Sequence, residues 1–201
     1  MRIMLRFPSH ALTAALVIGA LGLSGCATQQ SSTAAQETKA AQPATAEKTN
    51  FFLVFHENGR LYAFSDPALY LLFLEHDEVP LTRSRIGGGP EGQTVIFGLT
   101  KKEANTPLGT PIVAEKFFDG KIDDAGAFYG EVIYNGRYYV FGDWQDLKNF
   151  LQHKEVPWTF TEIGVGPKGE TVIYALNKKT KDAGRPVALI ESFHKLHEKK
   201  K

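Results

Sequence analysis

The chain has 201 residues, with 23 Lys and Arg against 22 Asp and Glu, and a single cysteine. That near-neutral balance leaves no global electrostatic footprint for nucleic acid. One cysteine cannot form an intrachain disulfide, so any fold must rest on packing alone.

Residues 1–25 read as an export signal. Arg2 and Arg6 give a basic start, and Ala11 to Leu23 form an apolar stretch too short to span a bilayer comfortably. The stretch closes on Leu23-Ser24-Gly25-Cys26, which resembles the lipobox of bacterial lipoproteins, a small-residue cleavage site followed at once by cysteine. The resemblance implies diacylglyceryl transfer to the Cys26 sulfur, cleavage after Gly25, and acylation of the new amino terminus with a chain such as palmitate. Several acyl chains make a stable anchor where one binds only marginally. Ala27 stands where an aspartate would imply retention at the inner membrane. The resemblance therefore implies an outer-membrane lipoprotein facing the periplasm, with membrane lipid as its first partner. Losing Arg2 and Arg6 with the leader brings the formal charge to about −1.

The lipidated cysteine and a flexible tether occupy residues 26–49. This segment is rich in Ala, Gln, Ser and Thr and nearly free of large apolar side chains, so it cannot bury enough surface to offset ordering entropy. From Phe51 the sequence repeats itself at an offset of 77: Asn58-Gly59-Arg60 matches Asn135-Gly136-Arg137, and His76, Glu78 and Pro80 match His153, Glu155 and Pro157. The expected organisation is a first α+β repeat over 50–120 and a second over 121–201 with a basic C-terminal tail.

Each repeat predicts the same order of elements. Phe51 to Glu57 and Leu61 to Phe64 are strand-forming runs joined by Asn58-Gly59, a pair suited to a type I′ hairpin, and Asn135-Gly136 repeats the signal. Asp66-Pro67 predicts a capped helix start, as does Asp143 with Asp146 three residues on. Leu71 and Leu72 stand where the second copy has Lys148 and Asn149, so the first helix should be the better buried of the two or be covered by a partner. Both helices must stop before Val79-Pro80 and Val156-Pro157. A second hairpin follows, Thr82 to Gly88 with Thr94 to Leu99 and Trp158 to Val165 with Thr171 to Leu176, turning through Gly-Pro-x-Gly. A final helix closes each unit, Pro111 to Phe118 or Pro186 to His197. The fold class expected is α+β: two tandem β-β-α-β-β-α repeats with antiparallel sheet and packed helices.

The loop between the last two strands, Ile86 to Ile96 and again Ile163 to Ile173, fits G-x-G-x-x-G in both copies. A phosphate cradle needs a helix opening on that loop, and Thr94-Val95-Ile96-Phe97 and Thr171-Val172-Ile173-Tyr174 are strand formers, so a structural turn is expected. A nest of backbone amides for some anion is the other reading of the same loop. Arg60, Arg137, His76 and His153 recur in both copies as candidate binding residues. Pairing His76 with Asp66 or Glu78 as base and orienter would make a periplasmic hydrolase around the His76/His153 neighbourhood. Each of these residues also has a local role at a cap, a helix end or a turn. His194-x-x-His197-Glu198 has the better spacing for metal but sits at the chain terminus, and no metal site or cofactor is expected. Along Arg137-Tyr138-Tyr139-Val140-Phe141 the alternation of a strand could leave Tyr138 on a solvent face as a binding group for sugar or peptide. The composite expectation is a non-enzymatic module that binds or assembles with a protein or an envelope polymer.

Overall fold

The computed structural model describes residues 48–198. Cys26, the leader and all of the tether before Lys48 lie outside the described residues. The elements run β1 (Thr49–Phe55), β2 (Leu61–Phe64), α1 (Pro67–His76), β3 (Thr82–Arg85), β4 (Val95–Gly98), a 3-10 turn at Glu103–Asn105, α2 (Val113–Phe118), β5 (Phe128–Tyr134), β6 (Arg137–Phe141), α3 (Trp144–His153), β7 (Trp158–Glu162), β8 (Thr171–Leu176) and α4 (Val187–His197). The architecture is mixed α+β: one eight-stranded sheet with four helices.

The sheet order is β3-β4-β2-β1-β5-β6-β8-β7. The four hairpin pairs are antiparallel, as expected. The sheet as a whole is not antiparallel, because β1 with β5, β2 with β4 and β6 with β8 are parallel. The cause is the connection through α1 and β3, which brings β4 back alongside β2 running the same way. α3 and β7 do the same for β8 and β6. Read outward from the β1–β5 seam, the order is the same on both sides, but the helices fall on opposite faces. Tyr70 and Phe73 of α1 share one core with Ile190 and Phe193 of α4. Ala114 and Phe117 of α2 share the other with Trp144, Leu147 and Phe150 of α3.

That two-sided cover explains the composition of the central strands. β1 sends Phe51 and Leu53 into one core and Phe52 and Val54 into the other, so it reads as an unbroken apolar run. Tyr138 and Tyr139 are divided in the same way. Tyr138 is 4% exposed and packs edge-on against Phe193, while Tyr139 lies on Phe150. The expectation of a solvent-facing Tyr138 is thus corrected: alternation separates two buried faces here.

Local signals hold at most boundaries. Asp66 Oδ1 accepts from the Leu69 N–H at 2.9 Å with Pro67 opening α1, and Asp143 caps α3 through Gln145 and Asp146. The two helices end at Asp77 and Lys154, both left-handed. The two helices are buried to a similar extent: α1 buries Tyr70 and Phe73 with Leu71 and Leu72 half-buried, and α3 buries Trp144, Leu147 and Phe150. The two first hairpins also differ. Asn135 and Gly136 both take positive φ, as a type I′ turn requires, but in the first copy only Gly59 does. There the Asn58 side chain accepts from the Arg60 N–H and donates to the Tyr62 hydroxyl, and the loop widens to three residues, with the His56 N–H bonded to Arg60 O.

Gly130 in β5 marks the closest approach of α3 to the seam. A Cβ there would meet Leu147 Cδ1 at 2.6 Å and the Phe128 ring at 2.7 Å. Gly130→Ala is expected to destabilise the fold by about 1–3 kcal/mol through overpacking. Gly142→Ala, whose Cβ meets only Leu189 at 3.6 Å, should stay within about 0.5 kcal/mol. Urea unfolding midpoints of the two variants check the difference.

Candidate functional site

The hairpin turns and the glycine-rich loops gather at one end of the sheet, because β4 starts beside the start of β2 and β8 beside the start of β6. Arg60 and Arg137 are both exposed at that end, roughly 14 Å apart across three strand spacings. In the loops, Gly89 N–H donates to Gln93 O and Gly92 N–H to Gly89 O, with the same pair of bonds between Gly166, Gly169 and Glu170. A further amide in each is occupied by the chain itself: Gln93 Oε1 accepts from Glu91 N–H, and Glu170 Oε2 from Lys168 N–H at 2.7 Å. The nest is filled from within, in one copy by a carboxylate, and a strand follows it.

His76 and His153 end α1 and α3 as exposed side chains. Asp66 caps the far end of the ten-residue α1, about 15 Å away at the rise of an α-helix, so it cannot orient His76. The contact His76 makes is with neighbouring Glu75, at 3.9 Å.

A largely enclosed ionisable cluster lies elsewhere. Glu131, in the middle of β5, is 0% exposed. The Tyr70 hydroxyl donates to its Oε2 at 2.7 Å, the Tyr129 hydroxyl to its Oε1, and His197 Nε2 lies 3.0 and 3.1 Å from its two oxygens. Tyr138 and Phe193 enclose the imidazole edge-on and at a tilt. Burial first, then the adjacent carboxylate, pushes the Tyr70 and Tyr129 phenols well above their ordinary range, which keeps both as donors. His197 thus faces inward to Glu131 while His194 is exposed, so the two do not share a metal-binding face. Among the described residues there is no group of three or more His, Cys, Asp or Glu placed to hold a metal ion.

The offset of 77 puts Val54 at the place of Glu131, Phe52 at that of Tyr129 and Leu147 at that of Tyr70. The cluster has no counterpart in the other half. An acid inside the apolar run Phe-Tyr-Gly-Glu-Val-Ile-Tyr is the signal that could have located it. What the cluster does physically is join α1, the seam strand and α4 around one buried carboxyl group. Glu131, Tyr70 and Tyr129 are buried and His197 is largely covered, so the cluster ties these elements together.

A second polar set ties the sheet edge to α2. Arg83 donates to Glu115 at 3.1 Å and to the carbonyls of Thr110 and Thr106, and Arg85 donates to Glu115 and Asp119. Glu115 also accepts from the Ile112 N–H at the start of α2. Partial burial pulls the Asp119 carboxyl up, but Arg85 and Lys121 together outweigh it and hold the group below its usual range. At the opposite edge the signs are reversed: Glu162 stands in the place of Arg85 and pairs with Arg185 at 2.8 Å.

Among the described residues, one accessible recess is a groove of about 410 Å³ where β6 and β8 finish and α3 and α4 begin. Leu176, Pro186, Val187 and Leu189 give it apolar walls, with Asp146 and Lys179 at the polar side. Burial raises the Asp146 carboxyl, partly offset by the Asn177 amide donating to it at 2.8 Å. Apolar walls with a few convergent polar groups, one of them shifted, are the usual composition of a binding recess. Neither Arg60, Arg137, His76 nor His153 lines it. No protein-family model matches the chain, and no curated protein or solved structure matches it either.

Removing Glu131 alone strands three donors. Glu131→Ala is expected to destabilise by about 3–5 kcal/mol, whereas Tyr70→Phe/Tyr129→Phe/Glu131→Val, which removes both phenol donors together with their acceptor, should lose less. Chemical denaturation of both checks this. Because the folded-state carboxyl of Asp119 ionises more readily than in the unfolded chain, its contribution is present above the unfolded value and fades as pH falls through the folded one. Asp119→Asn should flatten that acid limb in a stability profile from neutral pH to about pH 3, leaving the slope above pH 6 unchanged.

Proposed function

We propose that the protein is an outer-membrane lipoprotein, anchored through acylated Cys26, whose twin α+β module binds a protein or an envelope polymer in the periplasm without carrying out chemistry. We read its two halves as tandem copies of one β-β-α-β-β-α unit, on the strength of the 77-residue offset and the repeated order of elements. The observation that carries the binding reading is the division between the two polar centres. In the cluster with the residue types of catalysis, Glu131 is buried and the His197 side chain is only 7% exposed, while the open recess is walled by Leu176, Pro186, Val187 and Leu189. Such walls favour an apolar segment of a partner, with Asp146 and Lys179 fixing its orientation.

The anchor and the groove are separable by experiment. Cys26→Ser should move the protein from the membrane to the soluble envelope fraction and remove incorporated palmitate. Ala183→Trp, at the exposed lip of the groove, should leave anchoring intact and abolish recovery of whatever co-purifies with the wild-type chain from solubilised envelopes. Recovery of nothing beyond a control lipoprotein would sink the binding reading, and membrane retention of Cys26→Ser would sink the anchor.

A further inference from the structure

We infer that the groove at the start of α3 and α4 takes the headgroup end of a membrane aminophospholipid, with an acyl chain along its apolar wall, the ammonium at Asp146 and the phosphate at Lys179. The inference rests on the reading of the groove as a binding site and of Cys26 as the anchor, and it supplies the chemistry of the ligand.

The groove opens where the chain enters the folded module. β6 finishes at the end of the sheet where β1 and β5 begin, since Phe141 stands opposite Gly130 and Thr49 beside Phe128. Lys48 Nζ donates to Ser192 Oγ at 3.1 Å, and that hydroxyl donates to Ala188 O at 2.8 Å. Ala188 lines the groove. Only residues 27–47 separate Lys48 from Cys26, so acylation of Cys26 keeps the groove's mouth within reach of the headgroups. A short connection makes that contact intramolecular and raises the effective concentration of whatever the membrane presents.

Size and charge narrow the occupant. A volume of about 410 Å³ falls among small-molecule sites, roughly 300–1,000 Å³, and suits part of one lipid better than a packed protein element. Val187, on the apolar wall, is 55% exposed, surface that an acyl chain would cover. Asp143, Asp146 and Lys179 line the polar side. Asp146 gives one oxygen to the Asn177 amide and Asp143 gives one to the first amides of α3, so each has a second oxygen for a further donor. Among the described residues Lys179 makes no ion pair, unlike Lys181, which Asp182 holds at 2.8 Å, yet its charge is near enough to bear on Asp146. Two carboxylates beside one ammonium match a ligand that carries a cationic and an anionic group close together on an apolar chain. A primary ammonium brings three N–H donors to the carboxylates, where a quaternary amine brings none.

Native mass spectrometry of the full-length protein in nonionic detergent, titrated with single-chain lipids, tests this. One lysophosphatidylethanolamine should bind, about tenfold more tightly than lysophosphatidylglycerol, which lacks the ammonium, or lysophosphatidylcholine, whose ammonium has no N–H. Asp146→Asn should erase that ranking, and Lys179→Gln should weaken all three lipids about tenfold. Equal affinity for the three overturns the inference, as does binding of none, a ranking that survives in a folded Asp146→Asn, or tighter binding of the tripeptide Leu-Leu-Leu. Should a variant fail to fold, the wild-type ranking decides. If no lipid binds while Ala183→Trp still abolishes recovery of a partner, the groove stands as a binding site and its lipid ligand alone falls.

Discussion

Backbone hydrogen bonds along the β1–β5 seam, from Thr49 beside Phe128 to Val54 beside Ile133, turn two half-sheets into one. Both strands are flanked on their outer sides by their own hairpin partners, so neither half presents a free central edge once the seam closes. The parallel sense of the pairing fixes the rest. It puts both first hairpins at the same end of the sheet, and it sends equivalent helices of the two halves, α1 and α3 or α2 and α4, to opposite faces. Each core is then built from one helix of each half, and neither half has a complete core of its own.

Glu131 follows from that arrangement. A seam strand covered on both faces is deeply enclosed, and a polar side chain there is tolerated only with its hydrogen bonds filled. The residues that fill them come from three directions: Tyr70 from the first half, Tyr129 from two positions along the same strand, and His197 from the last turn of the last helix. The chain's terminal helix is thereby keyed to an element near its beginning. Aromatic packing around His197 and the stacking of Phe52 on Tyr70 at 4.3 Å add cohesion that a purely aliphatic core would lack.

Local features were legible in the sequence and long-range ones were not. Asp66-Pro67, Asp143, Asn135-Gly136 and the two Gly-Pro-x-Gly turns act within a few residues, and their chemistry dictates one backbone path. The parallel seam depends on residues about eighty positions apart, and an apolar run such as Phe-Phe-Leu-Val-Phe says only that both faces are covered, not by which neighbour. A solvent face for Tyr138 presumes a sheet with one wet side, whereas both sides are covered here. The widened turn at Asn58 is set by a side-chain amide rather than by the backbone preference of the pair. The groove could not be read at all, since its walls come from the ends of four elements. Glu131 alone among the missed features left a mark in the sequence, as an acid interrupting an apolar run.

The reversed ion pairs at the two edges bear on how such a chain avoids assembling wrongly. Two stretches of similar sequence in one molecule can exchange places while folding, each helix docking on the strands of the other half. Arg83 and Arg85 accept Glu115 and Asp119, whereas Glu162 accepts Arg185. An exchanged arrangement would bring Arg185 to a strand that already carries two arginines and Glu115 to one that carries a glutamate. Each edge thus repels the segment meant for the other, a form of discrimination built from unfavourable contacts as much as from favourable ones. Likeness between the halves supplies the common architecture, and the inverted charges keep the two from being interchangeable.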